Sequence, residues 1–178
     1  MKRNRISIYL SAILLFLATA GLTAQETLSL DSKPVLAISG TSTLHDWTMT
    51  SNTATGKLVA VVEGAKLDKI TSLSIDMPAE TIKSGKGGMD KNAYKALKTG
   101  QHKNVKFDLK QATKTATGFN LKGTFVIAGT AKEVTIPVKA TSVGGKHTLS
   151  GDYSFKLTDY KITPPTAMMG TIKTGDAV

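Results

Sequence analysis

The residues best equipped for chemistry are His45, Asp46 and Trp47, consecutive in the chain. A carboxylate beside an imidazole can orient a general base. Neighbours in an extended segment point to opposite faces, however, so His45 and Asp46 are not placed to pair. The plainer reading is a strand-end cap, with Trp47 packed at the mouth of whatever the strands enclose or lining a ligand channel there. His45, His102 and His147 lie far apart, and none has the spacing of a metal-ligating pair. With no cysteine in the chain, disulfides and thiolate metal sites are excluded. No Ser occupies a Gly-x-Ser-x-Gly elbow. Gly85-Lys86-Gly87-Gly88 lacks the Lys-Ser/Thr ending and the preceding parallel strand of a phosphate loop, and reads as a flexible lid or loop. Nothing calls for a metal or cofactor, and an enzyme is not the reading these residues favour. Lys83, Lys86 and Lys91 are placed to meet an anionic head group, with plain solvated lysines as the simpler account.

The elements that must position these residues are mostly strands. Phe119, Leu121, Phe125 and Ile127 alternate with Asn120, Lys122 and Thr124, and Leu149, Tyr153, Phe155 and Leu157 alternate with polar residues in the same way. Period two means one buried face and one wet face. Further strands are predicted over 34–39, 45–50, 57–63, 73–77 and 104–110, then 118–128, 133–143 and 147–158, after a polar lead-in from Gln25. Pro78 weakens the ladder or marks an edge, and Pro137 puts its strand at an edge or faces an unpaired direction, because proline cannot donate to a ladder. One helix is predicted over 90–98, with Asp90 as N-cap, Gly100 as the left-handed C-terminal residue, and Tyr94 and Leu97 docked against an end of the sheet. About eight meandering antiparallel strands with one inserted helix favour an all-β closed or nearly closed barrel; a two-sheet sandwich buries one face equally well.

The chain begins with Lys2, Arg3 and Arg5, continues through an uncharged apolar run over 6–22, and offers small residues at 18–20 and 23–25. This is the pattern of a secretory signal peptide over residues 1–24, leaving a single domain over 25–178. The run is at the short limit for a membrane anchor. Beyond Ala24 the basic residues are 20 lysines against 13 acids, a net charge of +7 with no arginine. Lysine is a solvated point charge, whereas nucleic-acid recognition wants arginine forks and stacking aromatics. The spread-out lysines are a solubilising coat, with weak contact to an anionic membrane surface as the alternative.

Several segments, in order, resemble the YceI family: Leu121 to Val138 as a strand-turn-strand, the helix followed by Asn104-Val105-Lys106-Phe107, the strand Phe155-Lys156-Leu157-Thr158-Asp159-Tyr160, and the tail around Pro164-Pro165 and Gly175-Asp176. The resemblance covers 35–178. It implies a secreted or periplasmic, lipocalin-like eight-stranded barrel that holds a polyisoprenoid, quinone-like or fatty-acyl chain, without nucleic acid and without catalysis. Gly40 to Trp47 departs from the family's first hairpin, and the chain stops at Val178, where a closing strand is expected; this implies a truncated chain or an open barrel edge. The candidate ligand-binding set is Leu73, Ile75, Met77, Phe107, Leu109, Phe119, Leu121, Phe125, Ile127, Leu149, Tyr153 and Phe155, with Trp47 and Tyr94 near an opening. Alternation alone fits a filled core equally well. The resemblance, with Ala60, Gly123 and Gly151 at inward positions, tips the reading toward a cavity.

Overall fold

The computed structural model describes residues 25–178, so the leader read over 1–24 lies outside the described residues. The strands are β1 (Gln25–Ser29), β2 (Leu36–Gly40), β3 (Trp47–Ser51), β4 (Thr55–Glu63) and β5 (Lys66–Pro78). Helix α1 (Gly87–Leu97) follows, then β6 (Asn104–Lys114), β7 (Gly118–Ile127), β8 (Thr130–Val143), β9 (Lys146–Ser150), β10 (Thr166–Ala167) and β11 (Ile172–Lys173). The all-β antiparallel architecture with one inserted helix is as the alternation predicts. The main sheet has seven strands in the order β1-β4-β5-β6-β7-β8-β9, curled into a half-barrel. The hairpins β2–β3 and β10–β11 are separate two-stranded sheets.

Hairpin chemistry sets the meander. The turns Gly64-Ala65, Ala128-Gly129 and Gly144-Gly145 all have positive φ at both central residues, the two-residue geometry that matches strand twist. Irregular pairing between β4 and β5 at Val59/Ala60 and Val61/Val62, and between β6 and β7 at Leu109/Gln111, bends the sheet. Curling brings the outer strands together: Lys146, at the start of β9, pairs with Asp31, just past β1, at 2.5 Å. Among the described residues four other ion pairs lie on the outer face, including Lys110 and Lys122 on Glu133 at 2.8 and 2.9 Å.

Several local readings are corrected. The lead-in after Gln25 is a real edge strand paired with β4, invisible in the alternation because only Leu28 in it is even half-buried. The helix N-cap is Lys86, not Asp90; the Asp90 carboxylate instead accepts from the Ser84 N–H at 2.8 Å and hydroxyl at 2.6 Å. That bond ties down the 84–88 loop, which is not a loose lid. The left-handed C-terminal residue is Lys98, at φ 52°, rather than Gly100. The last long strand, read over 147–158, stops at Ser150, because its β8 partners run out at Lys139, two residues before the donor-less Pro137. The chain then pairs with its own C-terminus: Phe155 and Val178 exchange N–H···O bonds at 2.9 Å, and Leu157 N–H donates to Asp176 O at 2.8 Å.

Of the three small inward residues, Gly151 borders the groove, whereas Gly123 and Ala60 do not open it. A Cβ on Gly123 would meet Asp108 O at 2.5 Å and the Phe107 ring at 2.6 Å. The aromatic ring already occupies that space. Gly151 lies against the Pro137 carbonyl. Ala60 is fully buried with Leu67, Ile70 and Val134 in the packed end of the half-barrel.

Two predictions follow from this packing. Gly123→Ala should lower stability by about 1–3 kcal/mol in urea unfolding, the usual range for overpacking; an unchanged midpoint would contradict the ring-over-glycine contact. The hydrogen bonds and charges of Lys110 and Lys122 lower the Glu133 carboxyl from its ordinary 4.5 to about 2. A lowered folded-state value stabilises above the unfolded value and is lost as protons bind. The melting temperature should therefore fall as pH drops from 4.5 toward 2, and less steeply in Glu133→Gln.

Candidate ligand-binding groove

The concave face of the half-barrel is an apolar groove of about 2330 Å³, open to solvent on one side. Cross-strand register builds its floor. Ile75, Phe107 and Phe125 stand opposite one another on β5, β6 and β7, and Phe119 faces Val138 on β8. Leu149 on β9 continues the wall opposite Ala140. The β2–β3 hairpin lies along the open side with Leu36, Ile38, Trp47 and Met49, and α1 contributes Met89, Ala93, Ala96 and Leu97.

Of the residues read from the sequence, Trp47, Leu73, Ile75, Met77, Phe107, Phe119, Leu121, Phe125, Ile127, Leu149, Tyr153 and Phe155 all line this groove. Two do not. Leu109 packs into the filled end of the interior with Ala112 and Val134, beyond the irregularity in β6. Tyr94 is turned away, because its hydroxyl bonds the Glu80 and Ile82 carbonyls at 2.9 Å and accepts from Lys83 Nζ at 2.6 Å. Its task is to dock α1 to the 79–83 segment. That contact also engages Lys83, leaving Lys86 and Lys91 at the groove's rim.

Met49, Ile38 and the α1 stripe were absent from the alternation-based set. Met89, Ala93, Ala96 and Leu97 have helical spacing, a legible signal. Nothing local marks Ile38 and Met49 as groove-facing, because a short hairpin's inner face is defined only by what it covers.

One end of the groove is aromatic. Phe125 makes edge-on contacts with Phe107, Tyr153, Phe155 and Tyr160 at centroid distances of 6.4, 6.2, 6.3 and 6.0 Å. Tyr153 and Phe155 stack at 5.7 Å. Behind this wall Tyr160 is 1% exposed, and among the described residues its hydroxyl makes no well-formed hydrogen bond, the Tyr153 hydroxyl being only a poorly placed neighbour. Burial above all pushes that phenol's pKa well above the ordinary tyrosine value. Trp47 Nε1–H donates to Thr41 O at 3.0 Å, and its ring covers Gly40.

The polar candidates fall elsewhere. His45 Nδ1 donates to the Asp46 backbone carbonyl at 2.6 Å rather than engaging its carboxylate. His147 Nδ1 bonds the Ser142 hydroxyl at 2.7 Å, and the His102 ring sits over Gly129. Among the described residues no group of three acidic or imidazole side chains could hold a metal.

A curled antiparallel half-barrel with a long apolar interior is a lipocalin-like architecture. A YceI-like domain model matches residues 29–178, and the chain belongs to that family. Solved structures share the fold, two of them as follows. Burkholderia cenocepacia BcnA is 13% identical, with a TM-score of 0.62, over 86% of this chain and 94% of that one. The Campylobacter jejuni YCEI protein is 16% identical, with a TM-score of 0.54, over 84% of this chain and 82% of that one. Among curated protein sequences none matches.

The orphaned hydroxyl makes a prediction. Tyr160→Phe should raise stability by about 1–2 kcal/mol, because it removes a buried unpaired polar group. The folded-state phenol stays neutral above the ordinary value of 10.0, where the unfolded chain's phenol ionises, so wild-type stability should fall as pH rises through that range. Tyr160→Phe should lose less there. A destabilised variant would show that the hydroxyl has a partner.

Proposed function

We propose that this protein carries a long apolar molecule, an isoprenoid, quinone-like or fatty-acyl chain, in the groove, for transport or storage outside the cytoplasm. One observation carries the reading: a continuous apolar groove of about 2330 Å³ lined by side chains of six or more elements. Sites for drug-sized molecules span about 300–1,000 Å³, so this groove suits an extended chain better than a compact metabolite. Burying ten methylenes contributes up to ~8 kcal/mol at ~0.8 each before association costs. The work is burial of apolar surface in the trough, so no catalytic group is required, and we read the protein as a carrier rather than an enzyme. The leader-like residues 1–24 support a secreted or periplasmic location.

A second reading, a non-carrier barrel that acts through its surface, draws on the filled end around Ala60 and the ring over Gly123. Native mass spectrometry of the mature protein, followed by organic extraction, separates the two. The carrier reading expects an apolar adduct. A clean mass, with no thermal shift on adding farnesol or palmitate, would favour the non-carrier. Leu149→Asp places a charge in the half-buried groove wall on an outer strand. It should weaken chain binding at least about tenfold, a cost of about 1.4 kcal/mol, read by the fluorescence of Trp47, the single tryptophan. Unchanged affinity would place the ligand elsewhere.

A further inference from the structure

Most large apolar side chains of the described residues are covered; six are not: Leu30, Val35, Leu44, Val143, Met168 and Met169. Leu30, Val35, Leu44 and Met168 border the groove, and two of these, Leu44 and Met168, belong to segments joined by hydrogen bonds, with Met169 next in the chain. Thr43 N–H donates to Lys173 O at 3.0 Å and Lys173 N–H to Thr43 Oγ1 at 3.1 Å. These bonds hold the 42–45 bend against the β10–β11 hairpin, so Leu44 shares one tip with Met168 and Met169. Leu44 and Met168 border the groove, while Met169 points clear of the protein at full exposure.

The backbone presents these side chains at a cost. Met168, Met169 and Gly170 follow one another at φ 52°, 55° and 90°. Left-handed backbone is unfavourable for a methionine, and such strain persists only where the surroundings hold it. Here the β10–β11 pairing and the Thr43 bonds hold it. Methionine is unbranched and polarizable, so it adapts to disordered apolar surroundings. Lys86 and Lys91 lie at the same groove's rim, Lys173 lies in the hairpin, and none of the three is in an ion pair among the described residues. The domain as a whole carries +7.

We infer that the Leu44–Met168–Met169 tip docks the protein on an anionic lipid bilayer. The apolar tip enters the headgroup boundary while the lysine surplus supplies electrostatic attraction. Because the tip adjoins the groove, docking places the opening against the source of an insoluble chain. This loading role rests on the carrier reading; the docking itself does not.

The test is flotation of the mature protein with vesicles of phosphatidylglycerol and phosphatidylcholine in equal parts, and with phosphatidylcholine alone. Chain binding is followed in parallel with cis-parinaric acid. Wild type should float with the anionic vesicles, less with the neutral ones, and less at high salt, where the lysines are screened. Met169→Glu, checked by its melting temperature, should float at least about tenfold less, because a carboxylate replaces the inserted side chain. Its parinarate affinity should match wild type. Leu44→Ser with Met168→Ser should reduce flotation as well. Wild type that stays unbound, or Met169→Glu that floats equally, would overturn the inference. So would a dimer that Met169→Glu dissolves without any vesicle binding. Flotation by a protein that binds no parinarate would uphold the docking and remove the carrier reading.

Discussion

The edge-on packing around Phe125 is the contact on which the rest of the molecule depends. Its ring touches β6 through Phe107 and the C-terminal region through Tyr153, Phe155 and Tyr160. The surrounding cluster adds Ile127, Leu157, Ile162, Ala96, Leu97 and Val178. Sheet, helix and tail are therefore fastened at one place. That cluster packs the segment after Ser150, which pairs its backbone with the last residues of the chain, against the end of the sheet. Aromatic pairs add specificity of angle to the gain from burial, and they set the direction in which the tail crosses the end of the sheet.

Two cores with different duties result. The aliphatic core around Ala60, Leu67, Ile70 and Val134 is filled and closes one end of the half-barrel. The aromatic core fastens the covering segments and leaves the space between them open. The groove is not made by small residues on the sheet. It exists because the curled sheet, the β2–β3 hairpin and α1 stand apart while their ends are tied: by Asp31 with Lys146 across the outer strands, by Thr50 with Lys83 between the hairpin and the strap formed by residues 79–83, and by Tyr94 under the helix. Exposed ion pairs contribute little stability, so the clasp at Asp31 orients the edges more than it holds them.

Much of the wall was legible in the chain. Period-two alternation placed Phe119, Leu121, Phe125 and Ile127 on the inner face, and they are there, because a buried face tolerates no slip of one residue without exposing the whole set. Leu109 kept its inward side but lost its place at the groove, since the irregularity in β6 and the neighbouring Gly123 put it in the filled end. Tyr94 carried the same helical signal as Leu97. A hydroxyl that can satisfy backbone carbonyls turned it to the strap instead.

The sequence by itself determined the all-β class, the hairpin order, the helix inserted among the strands, the absence of thiol chemistry and the apolar character of the inner face. Each of these follows from local rules: alternation, turn residues, composition. Tertiary structure alone decided that the inner face encloses a groove, that Gly123 is filled by the Phe107 ring, that Met49 and Ile38 face the interior, and that Met168 and Met169 share a tip with Leu44. Those facts depend on the distance between surfaces far apart in sequence. A side chain's type says that it will be buried, but only the placement of the opposing surface says whether it meets another side chain, a cavity or solvent.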